Sequence, residues 1–145
     1  MENAHKSAII EREKRITSIR ASLIDEYVDA GKFSLKLSKQ QFDKHVFGTK
    51  KYMEYKASRE EKGGNPQSIL LVDAAEAQEI INKKHGTGII KCDRNGNALS
   101  QEKITCDKVI GQYYARGQYR DTNKAVIHYS KSGAHLVPIR GDDYD

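Results

Sequence analysis

Tryptophan is absent from this 145-residue chain, and only two cysteines occur. Cys92 and Cys106 are too far apart for a CxxC pair, and no histidine-plus-cysteine spacing resembles a zinc site. Both are read as free thiols of a reducing compartment. No apolar run approaches the roughly 20 residues of a membrane-spanning helix, and the opening "MENAHKSAIIEREKR" lacks the apolar centre of a signal peptide. The expectation is a soluble, cytoplasmic protein with no membrane association, unless another protein arranges its export. Gly-x-Ser-x-Gly elbows, Walker sequences and HExxH are missing as well. "GTG" at residues 86–88 is too short and wrongly placed to cradle a phosphate. Acids that could pair on a metal are confined to "GDDYD", residues 141–145, read as a solvated acidic tail. No metal and no cofactor are therefore expected.

What is present in quantity is charge. Lys and Arg number 25 against 20 Asp and Glu, giving a net charge of +5 and a sequence pI near 9.1. The basic residues run along the whole chain instead of gathering in one tail. That balance suits a polyanionic partner such as nucleic acid, although a basic surface that binds nothing anionic is the competing reading. Hydrophobic residues make up 37% of the chain, enough for the core of one domain carried by Ile, Leu, Val and Tyr.

The apolar residues Ile9, Ile16, Ile19, Leu23, Ile24 and Val28 recur at spacings of three, four and seven, which predicts an amphipathic helix from about Ser7 to Ala30. Its charged face is a solvated face or a docking face. "KFSLKLS" alternates Phe33, Leu35 and Leu37 with polar residues, the pattern of one short strand. A second helical region starts near Ser38, "TKKYMEYKASREEK" reads as another, and "GGNP" at 63–66 is a loop. "QSILLV" is a strand or a buried turn. "DAAEAQEIINKKHG" is a helix with Asp73 as N-cap and Gly86 as stop. Beyond it the pattern turns extended, with an Asn-Gly turn at 95–96 and three β-rich segments, "KITCDKVIGQYYA", "NKAVIHYS" and "AHLVPIR", separated by "RGQYRDT" and "KSG". Helices first and an antiparallel meander last define an α+β fold.

Two histidines bracket the last turn. If Ser132 and Gly133 form a two-residue turn, Ser130 faces His135 and His128 faces Val137, so His128, Ser130 and His135 share one side while Ile127, Tyr129 and Leu136 share the other. A three-residue Lys-Ser-Gly loop would move His135 across. Two imidazoles and a hydroxyl on one sheet face can do acid and base work near neutral pH, with Lys131 beside a phosphate; a polar face wetted by solvent remains the other reading. His45 sits among Lys39, Lys44, Lys50 and Lys51, where neighbouring positive charge disfavours its protonation and suits a neutral base. The alternative is an exposed histidine on a basic helix end. His85 reads as a helix C-terminal histidine favoured by the dipole.

Taken together, "LSKQQFDKHVFGTKKY", "PQSILLVDAAEAQEIINKKHGTGII", "KVIGQYY" and "IHYSKSGAHLVPIR" resemble the polymorphic toxin type 50 family over about residues 34–140. The resemblance rests on Lys44, His45, Gly48, Thr49 and Tyr52, on the Gly-Thr-Gly after a helix, on Val-Ile-Gly, and on the Ile-His-Tyr-Ser-Lys hairpin with a second histidine before Val-Pro. It implies N-terminal helices packed on a four-stranded antiparallel sheet of the barnase, EndoU, colicin and RelE-like group. It divides the chain into a helical extension at 1–33, the toxin-like domain at 34–140 and the tail at 141–145. The extension is read as an oligomerisation seam, the trace of a longer parent protein, or an element that binds an immunity, phage or host protein.

Members of that family are expected to be ribonucleases, and they occur in bacterial toxins and in phage or virion-associated proteins. The resemblance carries catalytic candidacy onto His45, His128 and His135, with Lys44, Ser130 and Lys131 beside them. Thr49 and Tyr52 are added as substrate contacts, and Tyr129 either stacks on a base or lies in the core. The implied reaction is metal-independent cleavage of single-stranded or tRNA-like RNA by 2'-hydroxyl attack, leaving a 2',3'-cyclic phosphate, with His45 and His128 facing each other and His135 or Lys44 at the phosphate. The other reading is a non-catalytic phage-encoded binding protein, associated with the phage head or inhibiting a host nucleic-acid enzyme.

Overall fold

Local signals in the helical half are met by local structure. The computed structural model describes residues 23–141, residue 91 by its backbone only. Most of the amphipathic helix expected from Ser7 to Ala30, with Ile9, Ile16 and Ile19, lies outside the described residues, as does most of the acidic tail. The end of that helix is seen as α1, residues 23–29. Ile24 is wholly buried in the same core as the sheet, and the Ala98 amide donates to the Tyr27 hydroxyl. α2 (Lys39–Asp43) begins at Ser38, whose hydroxyl accepts the Gln41 amide; α3 (Lys50–Glu61) begins at Thr49, which accepts the Tyr52 amide; α4 (Ala74–Lys84) begins at Asp73, which accepts the Glu76 amide. Each side-chain oxygen satisfies one of the amides a helix start leaves unpaired.

Among the described residues seven strands follow two plans. β2 (Ile89–Cys92), β3 (Ala98–Thr105), β6 (Lys124–Ser130) and β7 (Gly133–Pro138) form a four-stranded antiparallel sheet in the order β2-β3-β6-β7. β1 (Ile69–Leu70), β4 (Gly111–Ala115) and β5 (Gln118–Thr122) form a second antiparallel sheet in the order β1-β4-β5. The α+β architecture and the four-stranded sheet follow the expectation; the three-stranded sheet is additional. "KITCDKVIGQYYA" is not one extended segment but breaks after Thr105 and resumes at Gly111, and "RGQYRDT" is not merely a separator, because it contains β5. The segment expected as a strand at 33–37 makes a single parallel bridge, Leu37 to Ala134; the Ser34 amide also donates to the Ser130 carbonyl, and Gln78 of α4 donates to the Leu35 carbonyl and accepts the Leu37 amide.

One face of the large sheet carries Ile104, Ile127, Tyr129, Ala134 and Leu136, and Ala77 and Ile81 of α4 close over it. A buried carboxylate ties helix to sheet here: Glu102, with no exposed surface, accepts the Gly86 and Gly88 amides and the Tyr129 hydroxyl. Gly88 runs so close to β3 that an added Cβ would fall 1.9 Å from the Lys103 carbonyl oxygen. β1 and β4 lie against β7. A Cβ on Gly111 would meet the Pro138 ring at 2.4 Å and the Ile69 oxygen at 2.5 Å, so the small sheet closes on β7 because that residue is glycine. The gap left between α2–α3, the small sheet and the outer face of β6–β7 is the site described next.

Candidate active site

The β6–β7 hairpin turns at Lys131 and Ser132, not at Ser132 and Gly133. Ser130 therefore pairs with Gly133, and His128 pairs with His135 directly. This corrects the expected register by two residues. A shift of two preserves the side each residue faces, so both imidazoles stay on the outer face, and they now stack with centroids 4.9 Å apart and planes 13° apart.

His45 reaches the same place from the helical half. It follows α2 with its amide bonded to the Phe42 carbonyl, and Phe42 is buried; its own carbonyl accepts the Leu70 amide of β1. Gln67 clamps the segment further, donating through Nε2 to the carbonyls of Lys44 and Tyr52. Its Oε1 is buried without a donor among the described residues. Far from being an exposed histidine on a helix end, His45 is only 5% exposed. Its ring lies 6.4 Å from that of His135, with planes 21° apart. The three imidazoles thus form a near-parallel row, His45–His135–His128. His45 and His128 each lie against His135.

Nδ1 of His45 lies 2.9 Å from the Ser68 carbonyl oxygen. A carbonyl only accepts, so that nitrogen carries the proton and the neutral ring keeps its lone pair on Nε2. Burial, opposed by this bond and reinforced by the charges of His128, Arg59 and Lys44, holds its pKa down at about 4. His135 is lowered to about 3, first by burial and then by His128, His45 and Lys44. His128 is lowered by burial alone. The row is therefore uncharged at neutral pH, and His128 is the member most readily protonated.

Around the row lies a cavity of about 620 Å³ whose lining includes Lys44, Arg59, Arg116 and Arg140 and, among the described residues, no Asp or Glu. Tyr55 stands edge-on to His45 at 5.9 Å between centroids, with the Lys44 ammonium 5.3 Å and the Arg59 guanidinium 5.5 Å from its ring centroid. Arg59 also donates to the Tyr55 hydroxyl and the Asn65 carbonyl. Tyr55 and Arg59 were not singled out from the sequence, yet the helical period holds the signal. They follow buried Tyr52 by three and seven positions, on the stripe of α3 that turns inward.

Of the sequence candidates, the fold gathers Lys44, His45, His128 and His135. Five others do not line the cavity. Thr49 is occupied as the α3 cap and also donates to the carbonyls of Asp43 and Val46. Tyr52 is 2% exposed. Tyr129 belongs to the core on the opposite sheet face, stacked on Phe33 at 5.0 Å, its hydroxyl 2.5 Å from Glu102. Ser130 and Lys131 sit at the hairpin tip, with the Ser130 hydroxyl turned to the Gly133 carbonyl. Among the described residues no group of histidine, cysteine and acidic side chains is arranged to hold a metal ion, and no helix is long and apolar enough to cross a membrane.

A helix-backed antiparallel sheet with a basic, histidine-lined pocket on its outer face is the class of protein these features define. The chain belongs to the Bacterial toxin 50 family, whose profile matches residues 37–138 and so takes in every histidine of the row and both sheets. Neither the curated proteins nor the solved structures give a significant match.

Proposed function

We propose that this toxin-family domain is an endoribonuclease needing no metal ion, and that His45, His135 and His128 are its catalytic groups. The observation that carries the reading is the convergence of three imidazoles in one pocket that is rich in cations and, among the described residues, free of carboxylates. Such a pocket favours a phosphodiester, and imidazoles are suited to move protons on either side of it. His45 is assigned as base, since its Nε2 holds the lone pair. It removes the ribose 2'-hydroxyl proton as that oxygen bonds to the adjacent phosphorus. The bond from phosphorus to the 5'-oxygen breaks, and His128, the most readily protonated of the row, gives its proton to the departing oxygen. The products are a 2',3'-cyclic phosphate and a free 5'-hydroxyl. His135, in the middle, takes the phosphate with Lys44, and stabilisation of the extra negative charge on the phosphorane is where preorganised cations contribute most.

The substrate phosphate in turn acts on the row. Its negative charge offsets the repulsion and desolvation that hold the row neutral, so substrate itself charges the acid. The test is incubation of the protein and of His45→Ala and His128→Ala variants with total RNA in the presence of EDTA, followed by mapping of cut ends. Cyclic phosphates from the parent and a loss of about 10²- to 10⁴-fold in each variant are expected. Intact RNA across pH 4 to 8 with and without EDTA would sink the reading, and capture of a single host protein with RNA untouched would favour the non-catalytic binder.

A further inference from the structure

The β4–β5 hairpin has an unusual residue at its tip. Ala115 pairs with Gln118, leaving a two-residue turn of Arg116 and Gly117 with φ of +51° and +81°. Tight hairpin turns of this hand require positive φ at both positions and favour Asn-Gly; Arg116 is the one non-glycine residue at positive φ among those described. An arginine held there sits in backbone conformation that a side chain of its kind resists, and the place it occupies is telling. A second hollow of about 130 Å³ is lined by Tyr113, Ala115, Arg116, Arg120 and Arg140, and it shares all of these but Arg120 with the histidine cavity. Arg120 lies across the ladder from Tyr113. The acid next to it, Asp121, pairs instead with Gln112 and is bonded to it at 2.9 Å, on the opposite face of the strands. Among the described residues no carboxylate lines this hollow either.

We infer that the hollow around Arg116, Arg120 and Tyr113 is a second phosphate subsite, which holds the phosphodiester next to the one being cut and makes the substrate an RNA strand of three or more nucleotides. Guanidiniums in a fork match phosphate oxygens, and a tyrosine beside them offers a stacking face for the intervening base. The inference rests on the ribonuclease reading for its substrate, but the binding measurement below does not.

The test uses 2'-O-methyl oligonucleotides, which cannot be cut, carrying a fluorescent end label: a dinucleotide with one phosphate and a tetranucleotide with three. They are titrated by anisotropy against the parent protein and an Arg116→Asn/Arg120→Gln variant. Asparagine suits the left-handed turn, so Arg116→Asn alone is expected to melt at or above the parent temperature, which separates loss of contact from loss of fold. The parent should bind the tetranucleotide at least tenfold more tightly than the dinucleotide, and the double variant should lose that advantage. For a single strand each phosphate contact adds about 0.7 to the slope of log affinity against log salt, so the variant, which loses one phosphate contact, should have a slope shallower by about 0.7. Equal affinity for the two lengths in the parent, or an unchanged slope in the variant, overturns the subsite. Unmethylated RNA that is bound with the arginine-dependent slope yet never cut overturns the ribonuclease reading alone and upholds the strand-binding hollow.

Discussion

At the scale of single residues, the chemistry hangs on one carbonyl. Ser68 contributes its backbone oxygen to His45 Nδ1, and that bond fixes which nitrogen is basic. The same burial that aligns the ring also keeps it uncharged to about pH 4. Histidine side-chain NMR of the free protein should therefore show His45 as the Nδ1–H tautomer at pH 6.5, with His45 and His135 still unprotonated at pH 5.5 and His128 the first of the three to titrate. Adding inorganic phosphate should move all three titrations upward. A His45 resonance that titrates near its ordinary value of 6.5, or one that shows the proton on Nε2, would remove the argument for this residue as base.

At the scale of elements, the glycine signatures of the sequence turn out to be joints between sheet and helix. The Gly-Thr-Gly after α4 gives two amides to Glu102, and Tyr129 adds its hydroxyl. Glu102→Gln would leave one of these donors opposed by an amide NH₂ inside the core, a loss of about 3 kcal/mol when a charged bond is replaced by a buried mismatch. Urea denaturation should register this as a lower midpoint with unchanged slope. Any activity per folded molecule should survive, because Glu102 and the histidine row lie on opposite faces of the sheet; a variant that folds normally but is inactive would contradict that separation. The helix starts were legible in the sequence because Ser38, Thr49 and Asp73 each cap within three residues of themselves. β5 was not, because an edge strand with the burial pattern of Gln118–Thr122, exposed at three of five positions, has no apolar alternation to read. Its turn carried Arg-Gly where Asn-Gly would have announced it. The hairpin histidines were placed on the correct side from the wrong turn, since parity survives a shift of two. The approach of His45 to them depends on Gln67 and β1, contacts about 23 residues away in sequence that no local pattern encodes.

At the scale of the whole molecule, the pocket imposes a cost that pH can expose. An imidazole whose folded value lies below the ordinary 6.5 takes up its proton later in the native chain than in the unfolded one. Stability is then full above pH 6.5 and falls as pH drops from 6.5 towards about 4 for His45 and about 3 for His135, because only the unfolded chain binds the proton in that window. For the deeply buried His45 the loss amounts to on the order of 3 kcal/mol. Carboxylates add little until pH approaches their own ordinary range near 4, so the interval from 6.5 to 5 isolates the histidines. Thermal melting should show the parent protein losing about 5 °C or more across that interval, and His45→Asn should flatten the decline although it removes a buried hydrogen bond. Phosphate at saturating concentration should restore the parent's melting temperature more at pH 5.5 than at pH 7.5, since the anion binds best to a row that has begun to charge. A melting temperature level from pH 7.5 to 5, with or without phosphate, would mean that the three rings are solvated and their stacking carries no electrostatic strain for a substrate to relieve.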